Sequence, residues 1–402
     1  MRLRRAQLPI VLILALALSA CGTLGSGEDS PPAPPREFQF QQNPPQGNEV
    51  YDLKSVCPNP VVIQTDWNPE AEYGATYNLI GDGYKVDTKR GLTRGPLVVD
   101  GKHTGIDVEV RLGGPQVKFT PVAELMHKDK GITLGYMNTD QVAGFHAKWP
   151  TTSVVAPMEL SPFGFFWDQG ENPTWNTMVD IGGTDAPILY ATQVQVQMEF
   201  LVGSGIIKRS QIKKTYTGDP SQFIQAQGKI VSQGFATAEP WLYENVFRYP
   251  RPIGFALLAD SGYDAYSQTL AIRTGDKDQL APCLRRLVPL VQRSIAQYAT
   301  QPERTNQLIV DLVQRYNNGW SYPAPLADFS IQQQRQLGIT DNGKDGRTVG
   351  EFDMARVDKI LGILQPIYAG VLNQDLPADL GPEDLATNEF IDSAIAIPAG
   401  GQ

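Results

Sequence analysis

Three histidines and three cysteines are all that 402 residues supply of the usual metal-binding and nucleophilic side chains. His103, His127 and His146 stand far apart with no ligand-spaced partner, which excludes an ordinary histidine or cysteine metal site. No basic stripe is present, and the formal net charge is −9, so nucleic acid is excluded as a partner. The chain also lacks a G-x-S-x-G elbow, a P-loop and a dinucleotide fingerprint, and no histidine is near a plausible nucleophile. Paired acids exist (Glu70 with Glu72, Glu239 with Glu244), but acids on one helix turn are commonly solvated and nothing places them across a substrate. Catalysis, and with it any cofactor, therefore has little support. What is present is globular: 41% hydrophobic and 19% charged residues, at a length that favours two folded units over one.

The first twenty residues stand outside that body. "MRLRR" is a positive start and "LPIVLILALALSA" an apolar run too short to span a bilayer comfortably; small residues then precede Cys21. This pattern reads as a bacterial lipoprotein signal, with Cys21 lipidated after cleavage; an ordinary signal peptide or a single anchor with an incidental cysteine is the alternative. Residues 21–56, rich in Gly, Ser, Pro and Gln, cannot bury a core and read as a tether holding the body off a membrane. Export would put Cys57 and Cys283 in an oxidising compartment, where they form either a disulfide or two buried thiols.

From residue 60 strands and helices alternate, which predicts an α/β fold with parallel sheets. "PVVIQT" reads as a buried strand, followed by a helix capped by Asn68, with Pro69 at its first position and Tyr73, Tyr77 and Ile80 on one face. Residues 85–104 read as a hairpin excursion, "GIDVEVRLGGP" as a strand and a turn, and "NTDQVAGFHAK" as a helix opened by Thr139 or Asp140. "SPFGFFWDQGENPTW" shows neither helical nor strand period. Asp219 predicts the cap of a helix continuing through Gln222. Four helices are expected over 279–299, 303–316, 325–337 and 353–369, and a loose tail beyond 371.

In a parallel sheet, ligands gather at the carboxyl ends of strands. Here those ends carry Asp66, Trp67 and Glu70; Gly113 and Gly114; Asn138 and Thr139; Ser161, Phe163 and Phe165; and Glu239, Trp241 and Tyr243. Each has a plain alternative. Trp67 and Tyr77 would serve equally as core, Glu70 and Glu72 would suit a helix dipole, Gly-Gly-Pro is a turn, and Glu239 before Pro240 is a helix cap. The argument for a site is that all of them fall on one predicted edge.

The lipoprotein signal, "TDWNPEAEYGATYNLIGDGY", "GIDVEVRLGGP", "LGYMNTDQVAG", "QGFATAEPWLYENV", "DSGYDAYSQTLAI" and "FDMARVDKILGIL" together resemble the substrate-binding proteins of ABC importers. The branch resembled is the one for nitrate, sulfonates, taurine and thiamine-precursor pyrimidines. The resemblance implies a type II periplasmic-binding-protein fold, with lobe one at 57–157 plus 264–371, lobe two at 158–263, and two crossing strands between them. It also implies a monomer delivering one small solute to a permease on the same membrane, on the periplasmic side or the cell surface. The cysteine-rich, histidine-bearing iron site of the family's pyrimidine synthases has no counterpart here. The predicted cleft is rich in acids (Asp66, Glu70, Glu72, Asp168, Glu239, Glu244) and in rings (among them Trp67, Tyr73, Tyr77, Phe163, Phe165, Trp241 and Tyr243). That composition favours a small aromatic or amine-bearing solute over an anion. An anion-binding relative, a pyrimidine-transforming enzyme, or a scaffold with a vestigial cleft are the other readings.

Overall fold

A computed structural model describes residues 50–216 and 220–399. The leader, Cys21, the tether up to residue 49 and Asp219 lie outside the described residues. Among the described residues no helix is long and apolar enough to cross a membrane.

The short apolar runs assemble into two sheets. The first contains β1 (Val61–Gln64), β2 (Lys85–Asp87), β3 (Leu92–Val99), β4 (Lys102–Arg111), β5 (Leu134–Met137), β6 (Thr151–Val155) and β12 (Thr269–Arg273), in the order β2-β3-β4-β1-β5-β12-β6. The second contains β7 (Phe163–Asp168), β8 (Ile188–Leu189), β9 (Ile212–Lys213), β10 (Val231–Phe235) and β11 (Ile253–Leu257), in the order β11-β7-β10-β8-β9. β1 pairs in parallel with both β4 and β5, whereas β12 is antiparallel to β5 and β6. β10 is parallel to β8, and β7 is antiparallel to β10 and β11. The first sheet thus has two reversed strands, β3 and β12, and the second has one, β7; the chain passes between the sheets just before β7 and just before β12.

The 85–104 excursion joins "GIDVEVR" in one long hairpin, β3 with β4, turning at Asp100-Gly101. Both turn residues have positive φ (51° and 72°), the conformation that a two-residue hairpin turn requires. The four C-terminal helices run Lys277–Thr300, Glu303–Tyr316, Ala324–Gln336 and Met354–Ile367. The first buries Leu284, Leu287, Val288, Val291 and Ile295 on the stripe its sequence marks. Cys57 and Cys283 are disulfide-bonded, fastening the start of the body to this helix.

Four expectations are corrected. The helix after β1 begins at residue 71, not beside Asn68: Ala71–Tyr73 is a 3-10 turn running into a short α-helix at Gly74–Tyr77. Asn68 and Asn318 hydrogen-bond to each other instead (2.8 Å). Asn138, not Thr139 or Asp140, precedes the helix Thr139–Phe145, and its N–H donates to Gln141. The aperiodic "FGFFWD" is a strand. All six of its residues are buried, so the alternation that betrays a half-exposed strand is absent. The segment beyond 371 is packed, with Leu380, Leu385, Phe390, Ile395 and Ile397 buried. Its Thr387 N–H donates to Ser153 in β6, and Val349 donates to Ile395. Irregular spacing of these apolar residues hid the segment from periodicity.

Candidate functional site

The end of β1 is drawn into a tight corner. Gly113 and Gly114 donate their N–H groups to the carbonyls of Trp67 and Asp66 (3.0 and 2.9 Å), so the Gly-Gly-Pro backbone is spent on the chain itself, not held free for a ligand. A Cβ at Gly113 would sit 2.3 Å from Asp66 backbone, and one at Gly114 (φ 53°) 2.6 Å from the Trp67 ring. The corner aims Asp66 inward, where its carboxylate accepts from Tyr73 Oη (2.6 Å) and from Gln268 Nε2 (3.4 Å). Trp67 stands edge-on to Trp320 and tilted against Phe119, with both centroids 5.9 Å away.

The corner after β10 meets the first. Thr237 donates its hydroxyl to Glu72, and Ser330 approaches the same oxygen at 3.4 Å. Glu239 folds back to accept from the Phe235 N–H (2.6 Å). A Cβ at Gly234 would lie 2.4 Å from the Glu239 carboxyl carbon, so glycine in β10 is what lets that carboxylate lie flat on the strand.

Four carboxyls are therefore buried near one another, and among the described residues none of them takes part in an ion pair. Burial is the first reason that Asp66, Glu70 and Glu72 all resist ionisation beyond the ordinary carboxyl range. Glu70 is pushed well above it, because Glu72, Asp66 and Glu239 add like-charge repulsion. Glu239 is raised to about 7, by burial first and then by Glu72, against the Phe235 hydrogen bond that favours its charge. A folded-state value above the unfolded one means that stability falls as pH rises from the unfolded value, 4.5 for glutamate, through the folded one. Glu70→Gln is accordingly expected to raise the melting temperature at pH 8, by about 2–6 °C for roughly 1–3 kcal/mol of relieved charge burial. Thermal scans at pH 3, where the carboxyl is protonated in both states, should show no such gain.

The other expected site residues are dispersed. Tyr73 packs edge-to-face on Tyr136 (4.9 Å) beside Asp66, while Tyr77 is fully buried and has no partner for its hydroxyl among the described residues. Asn138 and Thr139 bind the link leading into β12: Asn138 accepts from the Gln268 N–H (2.9 Å) and Thr139 from the Tyr266 N–H (3.1 Å). Ser161 accepts from Phe163 N–H, and Phe163 and Phe165 stack edge-on within the second sheet's core. Trp241 packs against the first sheet's core, whereas Tyr243 belongs to a separate cluster with Phe223 and Tyr249. Asp168 lies at the far end of β7, held by Tyr249 and Arg251 (2.5 Å), and Glu244 is exposed. Sequence reasoning missed Gln268, Trp320, Tyr322, Ser330 and Gln334. "GWSYP", an aromatic pair framed by Gly and Pro between two helices, was the available signal for two of them. Trp320 donates to the Pro69 carbonyl (3.1 Å), and the Tyr322 hydroxyl accepts from Ala71 N–H (3.1 Å). Beneath Glu72 lies a cavity of about 10 Å³, bordered by Met158, Tyr298 and Gln334, enough for about one water molecule.

Two mixed α/β sheets joined by two chain crossings are the architecture of the type II periplasmic-binding-protein fold. The fold is shared with the periplasmic aliphatic sulphonate-binding protein SsuA from Escherichia coli (TM-score 0.52, 11% identity, covering 80% of this chain and 90% of that one). It is shared equally with the ligand-binding component of an ABC-type import system from Staphylococcus aureus with zinc bound (TM-score 0.52, 11% identity, 84% and 99% covered). No family model and no curated protein matches the sequence.

Proposed function

We propose that the chain is an extracytoplasmic solute-binding protein of an ABC importer, lipid-anchored through Cys21, which hands one small solute to a membrane permease. Residues 57–157 with 264–371 act as one lobe and 158–263 as the other, closing by hinge motion over the crevice. The solute is small and amine-bearing or aromatic, with a thiamine-precursor pyrimidine as the leading instance. The observation that carries this reading is the convergence of Asp66, Glu70, Glu72 and Glu239 without a cationic partner, beside the rings of Tyr73, Trp67 and Trp320. Buried acids of this kind suit N–H donors and repel anions. The shared fold supports import in general, and one protein with that fold binds aliphatic sulphonates, so an anionic solute is the second reading.

A melting-shift screen separates the two. An aminopyrimidine or aliphatic amine at a hundred times its dissociation constant should stabilise by about 2.7 kcal/mol, a shift of several degrees. A shift given only by nitrate, taurine or ethanesulfonate would overturn the amine assignment and keep the importer. Turnover of a pyrimidine would replace binding with catalysis.

A further inference from the structure

We propose that the crevice takes up its solute by exchanging a proton at Glu70 for a positively charged nitrogen. This deepens, and depends on, the solute-binding reading. Glu70 is 8% exposed, and among the described residues its carboxyl has neither a hydrogen bond nor an ion pair. The charged or titratable groups facing it are Asp66, Glu72 and Glu239, with the phenols of Tyr73, Tyr77 and Tyr322, and none is basic. Burial holds those phenols neutral, so among these groups only protons can offset the acids.

Two amides point independently to a ligand. Gln268 is 5% exposed and its Nε2 rests on Asp66, yet its Oε1 has no donor. Gln334 is 2% exposed and borders the same small cavity as Glu72, with its Nε2 lacking an acceptor. A buried polar atom without a partner destabilises the fold, and a guest with N–H groups and an acceptor would satisfy both. The exchange balances: the Glu70 carboxylic acid and a protonated nitrogen base give a carboxylate–cation pair, and one proton leaves to solvent.

Benzamidinium is a suitable probe, flat and permanently charged below pH 10, with benzoate as the anion of matching shape. Its affinity is expected to rise from pH 5.5 to 8.5, by up to about tenfold per pH unit where one proton is released. Calorimetry in phosphate and in Tris should give binding heats that differ as release of one proton requires. Glu70→Gln, checked for an intact melting transition, should bind more weakly with heats independent of buffer, while Glu239→Gln should still release the proton. Affinity flat with pH, or unaltered release in the Glu70→Gln protein, would overturn the exchange. Binding of benzoate or ethanesulfonate in place of benzamidinium would overturn it too, leaving the importer reading intact, and binding of no small molecule of either charge would sink both.

Discussion

Opening the Cys57–Cys283 bond is expected to lower stability by about 3–5 kcal/mol. The two cysteines are 226 residues apart in sequence. Closing so long a loop removes much freedom from the unfolded chain, about 5 kcal/mol in the chain-entropy description, and native contacts that survive reduction trim the figure. Several do survive. Leu53 is buried and donates to Thr104 (3.0 Å), Arg286 donates to the Asp52 carbonyl (2.6 Å), and Tyr51 to Asp100 (2.6 Å). Thermal scans of oxidised protein, reduced protein and the Cys57→Ala/Cys283→Ala double variant should separate by roughly 6–15 °C. Coincident transitions would mean that those local contacts alone fasten residues 50–57.

Replacing Arg356 with methionine should cost about 2–4 kcal/mol, because it strips the partner from two half-buried carboxyls and removes a buried guanidinium from two carbonyls. Arg356 is 8% exposed and lies face-on to the Tyr266 ring, 3.7 Å from its centroid. Its guanidinium donates to the carbonyls of Glu159 and Asp264 (2.8 and 2.7 Å) and pairs with both carboxylates (3.0 and 2.8 Å). Glu159 belongs to the passage before β7 and Asp264 to the passage before β12, so one side chain grips both chain crossings. Burial outweighs Arg356 in holding Glu159 up to about 7, but the two carbonyl contacts do not titrate and keep the grip on either side of that value. Chemical denaturation gives the loss directly. Arg356→Lys should recover only part of it, since an ammonium cannot reproduce the planar fork. A loss below about 1 kcal/mol in the methionine variant would show that packing alone holds the crossings.

Legibility in the sequence followed exposure. β4 and the four C-terminal helices each have one wet and one dry face, and their periods show it: Leu284, Leu287, Val288, Val291 and Ile295 mark a stripe that the helix buries. β7 has no wet face, and Phe163–Asp168 shows no period. The 371–399 segment is pinned by single apolar residues at uneven intervals, which no template detects. The sequence puts Asp66 and Glu239 just after strands β1 and β10, where the structure buries them close together, but the aromatics could not be phased. Tyr73 and Tyr77 are four residues apart; one hydroxyl reaches Asp66 while the other is enclosed by core. Gln268 and Gln334 were invisible, since a lone glutamine has no sequence signature until its neighbours are known.

The return of the chain's final segment to β6 has a colloidal consequence. β6 is the outermost strand of its sheet, and such a rim offers bare amides and carbonyls to any passing extended peptide. Ala386 and Thr387 lie alongside Ser153, and Thr152 reaches the Asp384 carbonyl (3.0 Å), so the molecule occupies that rim with its own backbone. The folded protein is thereby spared one route to fibrillar self-association.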